Sequence, residues 1–225
     1  MVRPRIFADR AAAGVALAQE LQKRTLVPPV LVLALPRGGV AVGYEVAHAL
    51  HAPLDVMLVR KIGLPGQPEL AMGAIAAGGI VVHEAAVEEA FPDLSRAFDR
   101  LATEQRGELE RRERLYRQGL GPLELTGKTT ILVDDGLATG STMLAALRAA
   151  RQAGASATIV AAPVASLEAA ARVRDEADAE VILETPAALF AIGEWYGDFE
   201  QVDDAQVCRL LERSRSEARS LQAAK

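Results

Sequence analysis

The chain of 225 residues contains one cysteine, Cys208, which excludes an internal disulfide framework and a cysteine-rich zinc site. Histidine is nearly as scarce. His48 and His51 lie one helical turn apart, but with His83 the only other histidine, no third ligand accompanies them. Aromatic residues make up only 4% of the chain. No run approaches the ~18 apolar residues that a membrane-spanning helix needs. Basic residues do not dominate: 25 Lys and Arg face 30 Asp and Glu, a net charge of −5 that argues against broad nucleic-acid binding. What is present is apolar bulk. Hydrophobic residues make up 50%, which excludes a disordered chain and suits one domain over residues 1–225. The stretch 11–18 (AAAGVALA), behind Arg3, Arg5 and Arg10, imitates a secretion signal. Asp9 breaks the basic leader and the run is short, so an N-terminal helix capped by Asp9 is expected, in a soluble cytoplasmic protein.

Short apolar runs at 30–35 (VLVLAL), 54–59 (LDVMLV), 130–133 and 158–162 read as buried strands. Helix-forming stretches at 40–50, 141–153 and 167–177 lie between or after them. This alternation predicts an α/β fold, a parallel sheet flanked by helices, with ligands at the carboxyl ends of the strands. The middle departs from the rhythm. Residues 63–68 (GLPGQP) read as a loop, and 73–83 as a hairpin turning at Gly78-Gly79. Residues 93–117 form a charged helix, with Leu94, Phe98 and Leu101 at core spacing, followed by Arg106, Arg111, Arg112, Arg114 and Arg117. These arginines either lace a solvated face with Glu–Arg pairs or bring guanidinium groups over an anionic ligand.

The most informative stretch is 130–143, TILVDDGLATGSTM. A strand ends in Asp134 and Asp135; the turn Gly136-Leu137-Ala138-Thr139-Gly140 follows, and Ser141 and Thr142 open a helix. Glycines and a helix N-terminus supply inward N–H groups, and Thr139, Ser141 and Thr142 supply hydroxyls, a set suited to a phosphate monoester. The two carboxylates would repel that phosphate. They should meet sugar hydroxyls, a hydrated magnesium ion or a developing cation. Rival motifs fail on spacing. Gly127-Lys128-Thr129 has five residues between Gly121 and Gly127 instead of the four of a P-loop, and no G-x-G-x-x-G occurs. No G-x-S-x-G surrounds Ser141.

The segment from Asp134 to Thr142 resembles the phosphoribosyl-pyrophosphate (PRPP) signature of the type I phosphoribosyltransferases, most closely that of the adenine enzymes. Two further segments agree: Arg37-Gly38-Gly39 resembles the family's pyrophosphate loop, and Arg60-Lys61 its basic corner. The whole course over about 30–205 is similar to a bacterial group of stand-alone phosphoribosyltransferase-like proteins. The resemblance implies the type I fold, with a helical insertion or lid near 84–121, its closing part within 100–121, and a small hood near 184–205. It implies PRPP bound by Arg37, Gly38, Gly39, Arg60, Lys61, Asp134, Asp135, Gly136, Leu137, Ala138, Thr139, Gly140, Ser141 and Thr142. Asp134, Asp135, Arg37 and Lys61 would be catalytic. Mg²⁺ would be the cofactor, met by Asp134 and Asp135 through water or ribose hydroxyls. A strained peptide would also be expected in the Arg37 loop.

Phe190, Trp195, Tyr196 and Phe199 cluster near the hood, and Trp195 and Tyr196 are the candidates for stacking on a base. Ala138 stands where 6-oxopurine enzymes carry an aspartate, which disfavours hypoxanthine and guanine and leaves the acceptor open. The expected function is transfer of the 5-phosphoribosyl group from PRPP to a nitrogenous base, releasing pyrophosphate in salvage-type chemistry. The alternatives are a PRPP sensor of the same fold, a hydrolase, or a PRPP-synthesising relative, for which no ATP site is visible. Small-molecule partners are expected, with no nucleic acid and no membrane, and a homodimer is compatible with this reading. Cys208, beside Val207, Leu210 and Leu211, reads as packing.

Overall fold

A computed structural model describes residues 6–64, 67–83 and 95–223. Five parallel strands form the central sheet: β1 (Val30–Ala34), β2 (Leu54–Val56), β6 (Thr129–Val133), β7 (Ala157–Val164) and β8 (Ala179–Glu184), ordered β2-β1-β6-β7-β8. β3 (Val59–Leu64), β4 (Gln67–Ala76) and β5 (Ile80–His83) form a separate antiparallel sheet. The expected strand over 54–59 therefore divides. Its first half joins the parallel sheet, and the chain then leaves at Met57-Leu58 to start the antiparallel one. Of the expected loop at 63–68, Gly63 and Leu64 belong to β3 and Gln67 and Pro68 to β4, and residues 65–66 lie outside the described set. Gly78 and Gly79 make the next turn, with φ of 76° and 78°, values that suit glycine.

The central strand runs are largely apolar because helices cover both faces of the parallel sheet. Alternate residues serve opposite cores. Val32, Ala34, Ile131 and Val133 face α1 (Arg10–Leu21), α2 (Gly38–Leu50), α3 (Ser95–Tyr116) and α6 (Asp204–Ala223). Leu31, Leu33 and Leu132 face α4 (Ser141–Gln152) and α5 (Leu167–Glu176). Each Val, Leu or Ile among them, when fully buried, contributes roughly 1.5–3 kcal/mol. Asp9 caps α1 as expected, its carboxylate accepting from the Ala12 N–H at 2.7 Å.

Of the expected insertion, residues 84–94 lie outside the described set, and Leu94 with them. The remainder is not a loose arm. Helix α3 buries Phe98, Ala102, Leu109 and Tyr116 in the main core. Arg117, just beyond its last turn, forms a forked pair with Asp55 of β2, Nε to Oδ1 at 3.0 Å and a terminal nitrogen to Oδ2 at 3.1 Å. Cys208 packs at the core edge on α6. No helix among the described residues is long and apolar enough to cross a membrane.

Candidate active site

β6 carries Asp134 and Asp135 out of the sheet at its carboxyl end, beside the start of α2. The closeness is set by glycine. A Cβ on Gly39 would lie 2.8 Å from the Val133 carbonyl oxygen, and one on Gly38 would overlap Asp135 Oδ2. Only a residue without a side chain lets the first turn of α2 rest on the acid pair. The Pro36–Arg37 peptide just before it is cis.

The two carboxylates are not equivalent. Asp134 Oδ1 accepts the N–H of Asp135 at 2.8 Å. Burial, with the Asp135 charge next to it, pushes the Asp134 carboxyl well above the usual carboxylate range. Asp135 instead has a cation: Arg10 Nε donates to its Oδ2 at 2.7 Å, with only 11% and 17% of the two side chains exposed. Arg10 opens α1, 125 residues away in sequence. Its guanidinium also donates to the Glu200 carbonyl at 2.7 Å and lies 3.8 Å from the Phe199 ring centroid. Sequence reading gave this arginine no role in the site, and nothing local marks it; its significance comes from the hood.

Asp134 supports a pH prediction. The folded chain holds its proton to higher pH than the unfolded chain does, so between the two values the folded state binds more protons. Stability then falls as pH rises through that window, opposite to an ordinary paired carboxylate, by up to about 1.4 kcal/mol per pH unit. Asp134→Asn, which keeps the acceptor for the Asp135 N–H, should lack this slope. Thermal melts are expected to show the variant gaining on the wild type as pH rises from about 4, the unfolded carboxylate value. Parallel pH profiles would show that Asp134 does not hold its proton in the folded state.

The loop after the acids is fastened outward. Leu137 is buried, donating its N–H to the Val164 carbonyl at 2.9 Å. The Ala138 carbonyl accepts from the Ser166 hydroxyl at 2.7 Å, and the Thr139 carbonyl from Arg172 at 2.9 Å. A trans peptide that gives its C=O to the α5 side presents its N–H to the opposite side. The N–H groups of Thr139 and Gly140 therefore point away from α5. Gly140, with φ of 71°, is the N-cap of α4 and has no side chain to cap it, while Thr139 Oγ1 accepts the Ser141 N–H at 3.4 Å. Thr139 Oγ1 and Ser141 Oγ lie 3.2 Å apart beside it. Of the predicted phosphate-cup residues, Leu137 thus faces the core, while Thr139, Gly140 and Ser141 shape the rim.

The basic corner divides along β3. Arg60 lines a small crevice with Pro36, Thr142, Leu109 and Arg112, joining the Arg37 turn, the start of α4 and α3. Lys61, its neighbour in the strand, lies on the opposite face. Arg37 reaches toward Asp204 at the start of α6, 3.8 Å away.

The hood is built from both ends of the chain. The Phe7 N–H donates to the Trp195 carbonyl, and the N–H groups of Gly197 and Asp198 donate to the Phe7 and Ala8 carbonyls. Ile192 presses onto Gly136, where a Cβ would lie 2.5 Å from it. Tyr196 does not fit its expected place as an open stacking ring. It is 6% exposed, packed between Phe7 and Phe199, and its hydroxyl donates to the Asp135 carbonyl at 2.5 Å. It is an anchor between hood and acid pair. Trp195 is partly buried at the hood's turn.

Two all-oxygen carboxylates suit a hard cation that keeps several waters. Among the described residues no group of three or more His, Cys, Asp and Glu side chains is gathered as for a metal. His48 faces Glu217 instead, Nδ1 to Oε2 at 3.1 Å. The residues that could meet such a cation are Asp134 and Asp135.

The family model for the phosphoribosyl transferase domain matches residues 10–194, and the chain belongs to that family. Two Mycobacterium tuberculosis proteins, from strains CDC 1551 and H37Rv, each named "putative phosphoribosyl transferase", are 43% identical to it over 224 residues. The match covers 98% of this chain, which spans about half (50%) the length of those relatives. The crystal structure of TT1426 from Thermus thermophilus is similar at 42% identity with a TM-score of 0.85, covering 92% of this chain and 98% of that one.

Proposed function

We propose that this chain catalyses magnesium-dependent transfer of the 5-phosphoribosyl group from PRPP to a nitrogenous base, releasing pyrophosphate. One observation carries the reading. The acid pair stands between the Arg37-Gly38-Gly39 turn and the N-terminus of α4 with its outward-tied loop, two features whose N–H groups would suit anions. A sugar with a phosphate at one end and a diphosphate at the other matches that order.

Asp134 and Asp135 face the ribose hydroxyls in this reading and stabilise the positive charge that develops on carbon 1 as the bond to pyrophosphate lengthens. Arg10 fixes the Asp135 carboxylate, and the Tyr196 hydroxyl fixes its backbone. Residues 138–142 hold the 5′-phosphate, so binding energy remote from carbon 1 positions the reacting bond. Arg37, Arg60 and the N–H groups beside Gly38 and Gly39 receive the leaving group. Asp134 and Asp135 would hold Mg²⁺ through its waters or the ribose hydroxyls, and the ion would neutralise diphosphate charge. The base would enter under the hood beside Trp195.

Titration calorimetry with PRPP and Mg²⁺ tests the site, and pyrophosphate release over a panel of bases tests the reaction. Saturable PRPP binding with release on at least one base is expected. Binding without release on any base would favour a sensor, and no binding would remove the reading.

A further inference from the structure

Helix α3 sets Arg111 and Arg112 beside the crevice that joins the Arg37 turn to the start of α4. One carboxylate gathers the cations there. Glu108 accepts from Arg112 Nε at 2.7 Å and from Arg111 Nε at 2.8 Å, while an Arg60 nitrogen lies 3.9 Å from it. A second acid, Asp204, lies 3.6 Å from Arg111 and 3.8 Å from Arg37, and accepts the Tyr116 hydroxyl at 2.6 Å. Four guanidinium groups thus meet two carboxylates, so the cluster keeps a positive excess.

Helix spacing explains part of this, because Glu108 lies three and four residues before Arg111 and Arg112. It does not explain why Arg60 arrives from β3, nor why Arg112 lines the same crevice as Pro36 and Thr142. We infer that Arg112 is a binding residue for the diphosphate group, and that Glu108 holds the guanidinium groups together until that diphosphate takes its place. This rests on the reading of the site as one for PRPP and assigns a role to α3 within it. The two arginines beside Glu108 hold its carboxyl down to about 2, so it stays charged and competes with an anion across the neutral range.

The two partners predict opposite signs, which a merely structural pair would not. With magnesium pyrophosphate as the calorimetric probe, Arg112→Gln is expected to weaken binding roughly tenfold or more, through loss of a charge-assisted contact. Glu108→Gln is expected to tighten it roughly two- to fivefold, the scale of an exposed ion pair. Ribose 5-phosphate, which lacks the diphosphate, should bind to both variants as to the wild type. Equal or weaker pyrophosphate binding in Glu108→Gln, wild-type binding in Arg112→Gln, or a matching loss of ribose 5-phosphate binding would each overturn the inference. If the wild type binds pyrophosphate and PRPP while the variants follow it, only the role of α3 falls. If the wild type binds neither, the site reading falls as well.

Discussion

Asparagine in place of Asp135 is expected to lower pyrophosphate release by roughly a thousandfold or more, on the scale of losing a preorganised electrostatic contact to the transition state. The substitution is nearly isosteric, so it should leave the site assembled. The Asp135 carbonyl still accepts the Tyr196 hydroxyl, Gly38 still clears the side chain, and the amide oxygen can still accept from Arg10 Nε. What disappears is the negative charge. In the wild type that charge, after burial, also helps to push the Asp134 carboxyl above the usual carboxylate range. Asparagine should therefore let Asp134 ionise at lower pH, so a small residual activity would show a pH profile moved toward acid. Melting temperature should fall, because the mostly buried Arg10 loses its counter-charge, but a folded protein whose release has collapsed is expected, and the two are measured on one preparation. Release at the wild-type rate from Asp135→Asn would show that the second acid does not serve the reaction.

Those parts of the molecule written in contiguous residues were legible before any coordinates. The strands at the centre of the sheet, the Asp9 cap, the turn at Gly78-Gly79 and the segment from Asp134 to Gly140 all depend on neighbours within about ten residues. What escaped depends on contacts across the chain. Arg10 sits at the head of an apolar helix, and no local spacing ties it to an aspartate 125 residues away. An aromatic between glycines, as Tyr196 is, suggests a loop that could offer its ring for stacking. Residues 7 and 8 instead pair with 195–198 and bury it. The division of 54–59 was hidden because an unbroken apolar run does not reveal that its strand changes sheets. β8 passed unnoticed since its residues are only half-buried at the sheet's edge.

Arg117→Met is the stability counterpart, expected to destabilise the protein by about 3–5 kcal/mol because it leaves a buried carboxylate without its cation. Only 5% of the Arg117 side chain and 12% of that of Asp55 are exposed, and water cannot easily replace the fork that joins them. Asp55 already accepts the Val56 N–H at 2.8 Å, which satisfies one lone pair but no charge. A drop of roughly 2–4 °C in melting temperature per kcal/mol would follow for a chain of this size. The double variant Arg117→Met, Asp55→Leu should recover most of the loss, since an apolar pair can replace a buried ion pair. If the double variant is as unstable as the single one, the fork acts through packing and not through charge. The pair also bears on the site. It ties the chain just past α3 to β2, so swinging the whole helix as a lid would mean exposing Phe98 and Leu109 and breaking this fork. In the proposed reaction, α3 would then contribute side chains such as Arg112 to the site from a helix that itself stays in place.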